Sequence, residues 1–356
     1  MRSFYPYIAA GLLILASCGQ AGQEQTAGSA TGDSLALPKE THLTNIRQLT
    51  FGGENAEAYL SFDETMLTFQ RKDASMECDQ IYTMSITGEN MTRLSTGEGR
   101  TTCSYWFPDG ETVVFSSTHA HDTGCLPSPD RSKGYVWKLY PEFDIYTIRR
   151  DGSGLAPLFA SPGYDAEATV SPNGDRIVFT STRDGDPEIY SMKLDGTDVK
   201  RLTFAKGYDG GPFYSADGRK IIFRASRPET TEELAAYQEL VSEHLVRPTN
   251  LEIFIMDADG SNMKQVTDNG AANFAPFLHP DGARIIFSSN MDGSNPRNFD
   301  LYMINVDGSG LQRITWFEGF DGFPMFTRDG KTLVFCSNRN NAKEGDTNVF
   351  TCDWVD

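Results

Sequence analysis

The 356-residue chain carries 49 acidic against 31 basic side chains, a formal net charge of -18. That balance excludes nucleic acid as the main partner and docking on anionic lipid by charge, because both need basic surface. Hydrophobic residues at 39% supply a core, while 12% aromatics and 33 glycines favour short strands joined by tight turns.

The chain opens on Met1-Arg2 and an apolar run from Ile8 to Ala16 that is too short to span a bilayer. Leu15-Ala16-Ser17-Cys18-Gly19 sets small residues before a cysteine and resembles a bacterial lipobox. The resemblance implies that residues 1–17 are a lipoprotein signal peptide, removed to leave Cys18 lipidated. Residues 18–41 are rich in Gly, Gln, Ala, Ser and Thr and poor in core-forming types, the composition of a flexible linker. Export exposes the five remaining cysteines, Cys78, Cys103, Cys125, Cys336 and Cys352, to an oxidising compartment. An odd count leaves at least one unpaired within the chain.

From residue 42 to 356 the chain repeats itself. A Phe recurs at Phe69, Phe115, Phe179, Phe223, Phe287 and Phe335, and an aromatic follows it at Tyr82, Tyr146, Tyr190, Phe254, Tyr302 and Phe350. Turns such as Pro172-Asn173-Gly174 and Pro280-Asp281-Gly282 precede each Phe, and Gly88, Gly152, Gly196, Gly260 and Gly308 mark a second turn. Each unit reads as four antiparallel strands over forty-odd residues, the period of a propeller blade. The sixth copy runs out after a third strand, and Ile46-Arg47-Gln48-Leu49-Thr50 matches the fourth-strand pattern Arg201-Leu202-Thr203. The fold class is therefore all-β: a six-bladed β-propeller closed by an N-terminal strand.

Two units carry insertions after their second strand. One lies between Thr118 and Phe143; the other runs from Pro228 to Pro248. In the second, Thr230 and Glu233 have capping-box spacing, and Leu234, Tyr237, Val241 and Leu245 form a stripe at helical period. This predicts a short helix in blade four, packed on the ring.

These repeats resemble the TolB-type propeller repeat, with its Ser-Pro-Asp-Gly-like turn, Phe-ended strand and Leu/Ile-Tyr strand. The resemblance covers nearly everything after the linker and implies a periplasmic scaffold that binds other envelope proteins. The sequence departs from that family in having a lipobox and no α/β domain before the propeller. The repeat also occurs ahead of hydrolase domains, and the expectation here is a propeller with none.

Counting six residues back from each first turn gives an aligned ring: Asn55, Thr101, Asp165, Asp209, Asn273 and Asp321. Four residues after each Phe comes a second ring: Asp73, His119, Arg183, Arg227, Met291 and Arg339. Both belong at the tunnel mouth on the insertion-bearing face. The acids and arginines would either pair between neighbouring blades or bind an acidic group, with a cation or polar head group on the carboxylates. No other cofactor is indicated and no catalytic residue is assigned. His119, His121 and Asp122 are too few and too loosely placed for a metal assignment, and no nucleophile elbow or phosphate loop occurs. Cys336 and Cys352 fall on adjacent strands of the last blade, where a disulfide is one option, and one pair is expected among Cys78, Cys103 and Cys125.

The function these readings favour is a non-catalytic, lipid-anchored envelope scaffold, attached at the outer membrane and facing the periplasm. It would bind an envelope protein or polymer on its loop-rich face. The alternative is a lyase or hydrolase acting on a polysaccharide or other polar polymer at the tunnel mouth.

Overall fold

Every repeat buries its alternate apolar residues on both faces of a four-stranded antiparallel sheet. In blade three the strands Asp165–Val170, Arg176–Ser181, Glu188–Lys193 and Lys200–Arg201 lie side by side in chain order. The anchor Phe179 faces Tyr190 across the second and third strands and is 0% exposed. The same pairing holds in the other blades, as in Phe69 with Tyr82 and Phe335 with Phe350. Six such sheets are arranged in a ring, and the first strands of successive blades lie against one another around a central axis. The computed structural model describes residues 35–356 except Ser294. The expected signal peptide, Cys18 and most of the expected linker lie outside the described residues. Among those described, no helix is long and apolar enough to cross a membrane.

The ring closes as the fourth-strand pattern requires. Leu43–Gln48 pairs antiparallel with Asn348–Trp354, placing Leu43 opposite Trp354 and Gln48 opposite Phe350. Closure pairs what would otherwise be a free radial edge. Ahead of it, Lys39, Glu40 and His42 strap the seam between blades five and six. The Glu40 carboxylate accepts the Trp316 N–H and two bonds from Arg339, and Lys39 sits 4.2 Å above the Trp316 ring.

The blade-four insertion forms the helix Thr231–Ser242, opened by the expected capping box between Thr230 and Glu233. Tyr237 and Val241 pack toward the ring, but Leu245 is not helical. It lies in a bridge strand, Leu245–Val246, paired with Trp137–Lys138 of the blade-two insertion. The two insertions thus cover one sector of the same face, called here the loop face; the opposite is the turn face.

Cys78 and Cys125 form a disulfide, with Cα atoms 5.6 Å apart, and Cys103 is free. The bridge considered between Cys336 and Cys352 is not formed; both are free and buried. Cys336 stands opposite Val349 and Cys352 opposite Leu333. An offset of three residues puts the two thiols on opposite faces of the sheet, where no bond can join them.

Candidate functional site

Each first strand starts at the loop face, and its first aligned residue is locked into a seam. The backbone N–H groups of Asn55, Thr101, Asp165, Asp209, Asn273 and Asp321 all donate to the carbonyl just before the third strand of the preceding blade. Their side chains are 0–1% exposed. The ring counted from the sequence therefore exists, but it sits between blades and not in the open mouth. Its neighbours there are a further polar set that begins the third strands: Asn348, Gln80, Asp144, Glu188, Glu252 and Asp300. The fourth-strand Thr explains the Arg-Leu-Thr pattern. Thr203 donates to Glu188 and accepts the Ile189 N–H, and Thr267 does the same for Glu252 and Ile253.

The arginines pair within their own blade, not across to the next. Arg183 reaches Asp165 at 3.4 Å, Arg227 reaches Asp209 at 2.5 Å, and Arg339 reaches Asp321 at 3.0 Å. Each guanidinium also lies over an aromatic ring of its own blade: Arg183 over Tyr190, Arg227 over Phe254, Arg339 over Phe335. The first and second strands are paired, so an acid at the start of one faces the end of the other; Asp165 stands opposite Ser181. Asn55 is held instead by Arg71, and Asn273 turns to Leu251 and Glu252. Burial pushes the Asp209 carboxyl up to about 8, with Arg227 opposing and Glu188 adding to the rise. Asp300 is pushed up to about 7 by burial, against Arg313. One oxygen each of Asp209, Asp300 and Asp321 is buried without a hydrogen bond.

Two residues further along, the chemistry changes. Every first strand has a bulge, seen as a register shift between its second and fifth aligned residues. The residue in the bulge is left-handed in all six blades: Glu57, Cys103, Glu167, Gly211, Ala275 and Phe323. This ring, which sequence counting missed, surrounds the axis. Glu57, Cys103 and Glu167 are close enough to act on one another electrostatically, and burial pushes Glu57 up to about 7. Apart from the adjacent Cys103 thiol, no protein donor meets the Glu57 carboxylate among the described residues. Glu167, by contrast, accepts from Arg224, Thr180 and the Gly211 N–H. A Cβ on Gly211 would fall 2.0 Å from the Arg224 guanidinium, so glycine there makes the room Arg224 occupies.

The rest of the mouth is aromatic. Phe323, Phe320, Phe299, Phe274, Trp137 and Tyr208 follow one another with centroids 4.7–6.5 Å apart. Below them, Tyr59, Tyr105, Phe213 and Phe277 meet across the axis at 5.1–6.3 Å and plug the tunnel toward the turn face. A cavity of about 60 Å³ remains under the plug, lined by Phe62, Met325 and Arg328 among others. The loop-face end of the tunnel, called here the cup, is thus acidic on one side and aromatic on the other. His121 bonds Asp144 at 2.7 Å and His119 bonds Ser117 at 2.7 Å, outside the cup. Among the described residues no cluster of three or more His, Cys, Asp or Glu could hold a metal.

A family model for the TolB beta propeller domain matches residues 128–244 and 238–353. The chain belongs to the TolB β-propeller family. Comparison with curated proteins gives no match. Solved structures share the TolB-type fold. TolB from Acinetobacter baumannii is 18% identical with a TM-score of 0.55, the match covering 85% of this chain and 63% of that one. A putative TolB from Agrobacterium tumefaciens is 20% identical with a TM-score of 0.54, covering 87% and 92%. An oligogalacturonate lyase in complex with manganese is 13% identical with a TM-score of 0.51, covering 92% and 96%. At these identities the likeness shows the propeller alone. The chain spans under two thirds of the Acinetobacter protein, so that protein's activity does not carry over with the fold.

Proposed function

We propose that this TolB-like propeller is a non-catalytic envelope scaffold, tethered through Cys18 at the outer membrane, that binds an envelope protein or polymer on its loop face. The observation that carries the reading is the asymmetry of the tunnel. Its turn end is plugged by packed aromatics, while its loop end presents a carboxylate and an aromatic arc to whatever approaches. Contiguous apolar surface bordered by polar groups is the usual anatomy of a recognition site. The polymer-active alternative placed its chemistry on Asp165, Asp209 and Asp321. These are 0% exposed and held in seams, out of reach of a polymer, so nothing specific favours it.

The test is affinity capture from the native envelope with the full chain as bait. The expected result is a recovered envelope component that is lost with the double variant Trp137→Ala, Phe299→Ala, while Cys18→Ser moves the bait from the membrane to the soluble fraction. Recovery unchanged by the double variant, or turnover of an envelope polymer by purified protein, overturns the reading.

A further inference from the structure

The cup can be read for the chemistry of its ligand. Around the mouth the order is closed: Cys103, Glu57, then Phe323, Phe320, Phe299, Phe274, Trp137 and Tyr208, and back through Arg224 and Glu167. The charges nearby are matched one for one. Glu167 has Arg224, Asp79 has Arg100 at 3.6 Å, and Asp73 has Arg71 at 3.3 Å. Glu57 has no ion-pair partner of its own, Arg224 acting on it only through space from its pair with Glu167, and it stands beside the blade of Phe323, where the aromatic arc begins.

We propose that the loop-face mouth receives a primary ammonium on a hydrocarbon stem, as presented by a lysine of a basic protein segment, with the ammonium on Glu57 and the methylenes along Phe323, Phe320 and Phe299. This deepens the scaffold reading and rests on its binding face.

Three observations favour this occupant. An ammonium supplies both the counter-charge and the donors that Glu57 lacks, and a charge-assisted bond is the strongest polar contact available to a half-buried carboxylate. The stem suits the arc, because long cationic side chains lay their methylenes on apolar surface while the head group seeks polar contact. The net charge of -18 draws basic segments toward the protein and repels polyanions. A sugar ring fits less well. Phe274 and Phe299 are stacked on each other at 4.7 Å and 28°, so each has a face already covered. A stacked pyranose needs a free ring face, whereas a methylene chain packs against edges equally well.

The experiment uses the full chain and the peptide acetyl-Gly-Lys-Gly-amide, followed by calorimetry and by the emission of Trp137 in the arc. Its control is the same peptide with norleucine, which keeps the stem and lacks the charge. The expected result is saturable 1:1 binding of the lysine peptide, at least tenfold weaker binding of the norleucine peptide, and loss of that preference in Glu57→Gln. If Glu57→Gln does not fold, the lysine–norleucine ratio in the unmodified protein decides alone. The proposal is overturned by equal affinity for the two peptides, by no saturable binding at millimolar peptide, or by binding of cellohexaose in place of lysine. Capture of an envelope component that lysine peptide does not displace would also sink this inference, while leaving the scaffold reading intact.

Discussion

Two six-membered rings lie two residues apart on the same strands, and they do opposite work. Asp209 and its equivalents begin the first strands with ordinary extended backbone and vanish into seams, where every blade docks on the one before it. Glu57 and its equivalents sit in bulges with positive φ and look onto the axis. A carboxylate in the first ring is satisfied by protein, or shares its burial with a second acid. In the second ring Glu167 is bonded by Arg224, Thr180 and the Gly211 N–H, whereas Glu57 has only the neighbouring Cys103 thiol. The backbone twist at one residue separates structure from recognition.

The comparison is broken most directly at Arg339. This side chain is 4% exposed and holds both Glu40 and Asp321, each 0% exposed, so Arg339→Ala leaves two buried carboxylates without their partner. The expected loss is about 3–5 kcal/mol in chemical denaturation. A loss below about 1 kcal/mol would mean the seam ring does not hold the blades together.

Asp209 sharpens the comparison through pH. Its carboxyl is pushed up to about 8 by burial, so the folded protein holds this proton more tightly than the unfolded chain does. Its contribution to stability is full below the unfolded value near ~4 and is lost as pH rises through the folded value. Asp209→Asn should flatten the decline in melting temperature between about pH 4 and about 8 and leave the variant more stable than the parent above that range. Parallel melting curves for the two proteins across this window would refute the assignment.

The smallest effect belongs to Glu57. Burial pushes it up to about 7, so its charge costs stability at higher pH and its removal should not harm the fold. Glu57→Gln is expected to leave the protein no less stable at pH 8, with any change in the stabilising direction, while abolishing the preference for lysine peptide. A destabilisation as large as that of Arg339→Ala would place Glu57 among the structural acids.

The blades were legible because their signals are local and repeated. Phe179, Tyr190 and the Pro172-Asn173-Gly174 turn each do a job that the same residue type does in the other units. Ring closure came from the same logic, since Ile46 to Thr50 had no other partner of matching pattern. The seam residues were found, but their orientation was not. Counting back from the turns aligns positions without saying which way they face, and a bulge in each first strand changes that facing. Nothing about Glu57, Cys103 or Phe323 announces a left-handed backbone, as glycine would; the single hint was Gly211, in Asp209-Gly210-Gly211. The aromatic arc was equally hidden, because its members come from three blades and the blade-two insertion. One signal was available: an aromatic directly before a seam acid recurs in Phe143-Asp144, Tyr164-Asp165, Tyr208-Asp209, Phe299-Asp300 and Phe320-Asp321. The pair expected among Cys78, Cys103 and Cys125 is present, but the Cys336–Cys352 option failed for a different reason, since adjacency of strands does not fix which face a thiol occupies.

The N-terminal closing strand also has a consequence for biogenesis. Gln48 meets Phe350 only when some 300 further residues have been made. At about 5–20 residues per second, synthesis alone keeps the earliest strand waiting for its mate for about 15–60 s. Over that interval its hydrogen-bonding edge is open to the wrong neighbour. A chain built this way benefits from being held unstructured until its last segment is delivered, which is the condition an export pathway that threads unfolded polypeptide provides.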